Sequence, residues 1–275
     1  MNGSKHTPRS SQSSNWRARA PSATEAALDA SAPSFIPPLT QAQLVEALLA
    51  PGPIHVYIAS EREDTGASPD QPVFLKGVRF DPAHSRTWYE EVLPYLSKCT
   101  FVFATTIDVT YGGSILGSAA LPHIYNAVIK VELPKIYWLD GVALNRNHNP
   151  YLQMCRNLPN LRELGLTMHT AGLTNQRWAE RQVIALERNN LEAAKERIVI
   201  SLQEAVHRYE LDALFACGGL RQLRVEYIES AMTAHLCKFG DPVDILQSVK
   251  TYLEHAFAQR QLQVIVELTK ADVPV

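Results

Sequence analysis

Three stretches of this chain share one spacing of apolar residues, and that recurrence is the tightest constraint on how it can fold. Val128, Val131 and Leu133 in VIKVEL, Leu161, Leu164 and Leu166 in NLRELGL, and Leu220, Leu223 and Val225 in GLRQLRV all occupy relative positions 0, 3 and 5. The last two residues of each triplet flank a polar residue or glycine, which puts them on one side of a strand. Each copy follows a stretch able to form a helical turn: LPHIYNA, NPYLQMCRNLP and LDALFACG. One strand and one helical turn cannot bury their apolar faces alone, so such units stack side by side.

This L-x-x-L-x-L spacing is the core of a leucine-rich repeat. The fold expected is therefore α/β, an irregular leucine-rich-repeat-like layer of parallel strands with helices. The copies start 33 and 59 residues apart, and the Asn or Cys of a regular repeat is replaced by Ile136, His169 and Ile228. An ordinary α/β domain whose strands follow helices fits the same segments. Residues 173–215 fill the wider gap and read as a long helical insert of one or two helices. Leu191, Ala194, Ile198, Leu202, Ala205 and Tyr209 lie at three- and four-residue spacing. Glu192 with Lys195 and Glu204 with Arg208 can pair on the opposite side, and Asn189-Asn190 marks a break.

On either side of the repeats, punctuation residues set the elements. Residues 1–38 read as a disordered tail closed by PSFIPP, leaving a single α/β repeat-like domain over 39–275. A helix capped by Thr40 ends at Pro51-Gly52-Pro53, and IHVYI and VFLKGVRF read as strands. Residues 86–97 look helical up to Pro94. FVFATTIDV puts Phe101, Phe103, Ile107 and Val109 on one face of a strand, and YGGSILGS reads as a loop on its glycines. Asn149-Pro150 sets up a helix from Tyr151. A helix over DPVDILQSVKTYLEHAF leads to a last strand, LQVIVEL.

Chemistry is sparse by comparison. With 26 basic and 28 acidic residues, the net charge of −2 gives no electrostatic reason to expect nucleic acid. No run of about 18 apolar residues suggests a membrane span. Cys99, Cys155, Cys217 and Cys237 are scattered without a C-x-x-C, which points to a reduced intracellular setting, cytoplasmic or nuclear. Lys5, Arg9, Arg17 and Arg19 in a Ser-rich start, with no acid before Glu25, also overlap with a mitochondrial address. The stretch Gly112 to Ser118 lacks the Lys of a phosphate loop and reads as a turn. The nine histidines are dispersed, and His235 with Cys237 has no second local pair, so no metal or cofactor is expected. In LDGVALNRNHNP, Asp140, Asn145, Asn147, His148 and Asn149 are the residue types of turns and caps. If the chain is instead an enzyme, Asp140, His148 and His169 are the residues to test first. No catalytic residue and no small-molecule ligand is assigned.

The run CTFVF, then VIKVELPKIYW, PNLRELGL and GGLRQLRVEY, resembles a large group of filamentous-fungal proteins with F-box-like N-terminal motifs and degenerate leucine-rich repeats, over about residues 98–270. The resemblance implies protein–protein recognition, with adaptor duty in ubiquitin ligation, and brings no catalytic residues with it. Residues 35–60 carry no L-P-x-E-[LI] helix start of the F-box kind. The function expected is a non-enzymatic protein–protein interaction module.

Overall fold

Six parallel strands lie side by side in the order in which they occur along the chain. The computed structural model describes Gln43 and residues 54–55, 94–116, 124–136 and 149–272. The chain divides into two units, Met1–Pro38 and Leu39–Val275, and every described residue belongs to the second. The expected tail, the strand at VFLKGVRF and all but Gln43 of the helix after Thr40 lie outside the described residues. The described strands are β1 (Ile54–His55), β2 (Thr100–Val102), β3 (Lys130–Leu133), β4 (Glu163–His169), β5 (Thr174–Gln176), β6 (Arg197–Val199), β7 (Gln222–Ile228), β8 (Cys237–Phe239) and β9 (Ile265–Lys270). The main sheet runs β1-β2-β3-β4-β7-β9, and β5-β6-β8 form a smaller second sheet.

The three segments of shared apolar spacing fall on the adjacent strands β3, β4 and β7. Val131 pairs with Leu164 and Leu164 with Leu223, while Leu133 pairs with Leu166 and Leu166 with Val225. Phe101 extends the first row on β2, and Val266 and Leu268 extend both rows on β9. These side chains alternate inward and, apart from the half-buried Leu268, are at most 4% exposed. Burial of each contributes roughly 1.5–3 kcal/mol. A one-residue slip would turn a whole row outward, so burial fixes the register.

The described helices include α1 (Thr106–Leu116), α2 (Ile124–Ala127), α3 (Pro150–Arg156), α4 (Glu180–Glu187), α5 (Leu191–Ala194), α6 (Leu202–Arg208), α7 (Ala231–Leu236) and α8 (Pro242–Gln259), of which α3 and α8 seal these rows. Leu152 and Cys155 of α3 and Leu246, Val249, Leu253 and Phe257 of α8 join the strand residues in one buried cluster. In α8 the Asp241 side chain accepts from the Val243 N–H at 2.8 Å and Pro242 opens the first turn. The apolar residues at three- and four-residue spacing do the rest. Pro150 and the Asn149 cap start α3 where expected.

Three expectations need correction. First, the strand at FVFATTIDV ends at Val102, and α1 takes over from Thr106 straight through Gly112 and Gly113. Thr105 and Asp108 explain the switch: the Thr105 N–H donates to Asp108 Oδ2 at 2.7 Å and the Asp108 N–H to Thr105 Oγ1 at 3.2 Å, a reciprocal cap. Gly112 is a packing residue rather than a loop residue, because a Cβ there would sit 2.4 Å from Cε1 of the buried Phe103. Ile107, expected inside, is 59% exposed. Second, residues 86–93 of the helix expected up to Pro94 lie outside the described residues, and the helical residues described there, Pro94, Tyr95 and Leu96, run past the proline.

Third, residues 173–215 are not one or two long helices. They contain β5, α4, α5, β6, α6 and a 3₁₀ segment, Leu211–Ala216. Ile198, Val199 and Ile200 are β-branched and favour extended backbone, and the Ile200 N–H bonds the Leu173 carbonyl at 3.0 Å. Asn190 restarts the helical stretch by accepting from the Ala193 N–H at 3.1 Å, so the break at Asn189-Asn190 stands. Ala194, Ala205 and Tyr209 of the expected stripe are buried, whereas Leu191 is 50% exposed.

Candidate functional site

In each repeat core, the residue between the second and third apolar positions points away from the buried rows. These residues are Glu132, Gly165 and Arg224, and the register sets them side by side across β3, β4 and β7. Gly165 has no side chain to separate its neighbours. Arg224 Nη2 therefore reaches across the strand to donate to Glu132 Oε1 at 2.7 Å. A Cβ on Gly165 would fall 1.9 Å from Glu132 Oε2, so this bridge needs glycine beneath it. Arg224 Nε also lies 2.9 Å from Glu226 Oε1, two residues along the same strand.

More of the outer face follows the same alternation. Lys130 and Glu163, paired in register, form an ion pair at 2.9 Å. Thr167 Oγ1 donates to Glu226 Oε2 at 3.4 Å. Glu132, Glu163, Glu226 and Glu267 thus share the face with Lys130 and Arg224, and the side chains of the paired ones are 30–44% exposed. Burial raises the Glu132 pKa above the ordinary carboxylate value, and the Arg224 charge and hydrogen bond pull against that rise. The face is an ordered, partly desolvated strip of charge. None of these residues stands out by motif, but superposing the three repeat cores would have placed Glu132, Gly165 and Arg224 on one row.

His169 closes β4. Its Nδ1 accepts from the Ala171 N–H at 3.2 Å, and burial lowers its pKa, so the ring works as a neutral cap for the 3₁₀ turn Thr170–Leu173. Asp140 and His148, suggested beside it, lie outside the described residues. Trp178 is half-buried and donates to the Ala193 carbonyl at 2.9 Å; Trp16, Trp88 and Trp138 also fall outside. The four cysteines are free thiols. Burial pushes Cys155 up and Cys217 up to about 11, so neither offers a thiolate at neutral pH. Among the described residues no group of three His, Cys, Asp or Glu side chains could hold a metal ion, and no helix is long and apolar enough to cross a membrane.

Two further features lie outside the main sheet face. A cleft of about 370 Å³ is lined by Gln153, Arg156, Val206, His207, Glu210 and Asp212. Glu210 sits there in the left-handed region at φ 49°, and its carboxylate accepts from the Asn149 N–H at 2.5 Å. Asp212 accepts from the Tyr252 hydroxyl at 2.6 Å. On the small sheet, Glu196 is clamped by Arg177 at 2.5 Å and Lys238 at 2.7 Å, and the Arg177 guanidinium stacks on Trp178 and Phe239. No protein-family model matches the chain, and no curated protein matches it.

Proposed function

We propose that this chain is a non-enzymatic protein–protein interaction module, an irregular leucine-rich-repeat-like scaffold of adaptor type whose outer sheet face is read by a protein partner. The observation that carries this reading is the row Glu132–Gly165–Arg224, in which equivalent positions of three repeat cores lie on neighbouring parallel strands in matched register. Hydrogen-bonded strands hold such side chains about 4.8 Å apart on a stiff backing. A surface already ordered by ion pairs loses little side-chain entropy on binding, and its charge pattern selects partners more than it adds affinity. Four carboxylates against two cations disfavour a phosphate backbone. A protein is the partner that fits an extended, polar, sheet-wide strip.

Affinity capture with the wild-type chain, Arg224→Glu and Lys250→Glu tests the reading. Lys250 lies on α8, away from the strip. A protein retained by wild type and Lys250→Glu and lost by Arg224→Glu is the expected result. Capture that is empty, or indifferent to Arg224, would count against it.

A further inference from the structure

Among the described residues the main sheet ends at β9, whose far edge carries no further strand. Among the described residues β9 pairs only with β7, in an unbroken register from Ile265 to Lys270. The Ile265 N–H donates to the Arg221 carbonyl and the Ala271 N–H to the Tyr227 carbonyl, both on the β7 side. In a parallel ladder the odd residues of β9 therefore bond inward, and Val266, Leu268 and Lys270 present their N–H and C=O groups to the free edge. Natural edges are blunted by proline, bulges or inward charges. This strand has no proline and no bulge, and its one charge of inward parity, Lys270, is held by Glu229 of the same chain; Ile265 is 65% exposed and Leu268 only half-buried.

We propose that β9 pairs antiparallel with β9 of a second copy of this chain, extending the sheet across a two-fold axis at Leu268. The edge itself selects this register. A two-fold axis perpendicular to the sheet keeps the helix layers of both copies on one side, so only residues of equal parity can face each other. With Leu268 opposite Leu268 of the other copy, Val266 faces Lys270 and Glu267 faces Thr269. The groups that are free at the edge then exchange hydrogen bonds. The two half-buried Leu268 side chains seal the gap where the buried row ends. Sliding one step sets Glu267 against Glu267, a like-charge pair that destabilises a sheet. Sliding the other way sets Val266 against Asp272 and Leu268 against Lys270. Of these three registers, the one centred on Leu268 alone opposes apolar to apolar at its axis and no like charges. It does not depend on the role of the outer face.

Sedimentation equilibrium of the full chain, from micromolar to sub-millimolar concentration, tests the proposal, with circular dichroism reporting the fold of each variant. The wild type is expected to dimerise. Thr269 is exposed, so Thr269→Lys, opposite Glu267 twice across the axis, should tighten the dimer about tenfold, and Thr269→Glu should loosen it about tenfold. Adding Glu267→Gln to Thr269→Glu should restore wild-type association. A monomer at every concentration overturns the proposal, as does a dimer indifferent to both Thr269 variants. A monomer whose Val266, Leu268 and Lys270 amides are protected from hydrogen exchange also overturns it, because a segment of the same chain would then cover the edge.

Discussion

Glu132 and Arg224, 92 residues apart in sequence, meet at 2.7 Å directly over Gly165. Three strands drawn from three repeat cores are needed to make that one contact. It ties the polar surface of the sheet to the same register that the buried rows impose from the other side.

Replacing Arg224 with Met should cost about 1 kcal/mol at neutral pH, a modest figure because its side chain is 40% exposed and screened. The Glu132 pKa is already raised, so Glu132 favours the folded state in its protonated form, a contribution present in acid and lost as pH rises through the raised value. Without Arg224 that pKa climbs further. The cost of Arg224→Met should therefore shrink as pH falls toward the ordinary carboxylate value, which urea unfolding at several pH values will report.

Gly112 and Gly113 are adjacent in α1 and should respond in opposite directions. Alanine at 112 drives a methyl group into Phe103 and should destabilise by about 1–3 kcal/mol. Alanine at 113 meets nothing within 4 Å and should stabilise by roughly 0.5–1 kcal/mol through helix propensity. Thermal unfolding of the two variants gives the comparison.

Asn149 is fully buried, and its side chain makes three contacts. Oδ1 accepts from the N–H groups of Tyr151 and Leu152, and Nδ2 donates to the Tyr209 carbonyl at 2.8 Å. Asn149→Ala should cost about 1–3 kcal/mol. Asn149→Asp should be no better at neutral pH, since it keeps the cap but loses the donor and sets a carboxylate near that of Glu210. Denaturant midpoints for both variants will show this.

The Lys238 and Arg177 hydrogen bonds hold the Glu196 carboxylate below its ordinary pKa. Its contribution is present above the ordinary carboxylate value and lost as pH falls through the lowered one. The protection factors of the β5–β6 amides, taken against the intrinsic exchange rate at each pH, should therefore fall in acid. In Glu196→Gln they should be low already at neutral pH and lose that acid step.

How far the sequence could be read depended on what each residue answers to. The parallel strands at the three apolar triplets, α3 and α8 were legible because apolar spacing and the Asn149 and Asp241 caps are local signals. α1 was missed because Gly112-Gly113 looks like a break until Phe103 is seen packed on it, a tertiary fact. The insert was misread because Ala194, Ala205 and Tyr209 keep helical spacing across a strand. The outer face stayed hidden because Glu132, Gly165 and Arg224 become neighbours only through the register.

A photo-crosslinking amino acid placed at Glu226 on the outer face, and separately at Ser248 on α8, asks most directly whether that face is the binding surface. Ser248 and Glu226 are both partly exposed, so both positions can reach a partner from the folded chain. In cells expressing each version, adducts to a distinct protein from position 226 and none to that protein from position 248 are expected. Adducts to the same proteins from both positions, or none from 226, would contradict a scaffold that recognises through its outer sheet face.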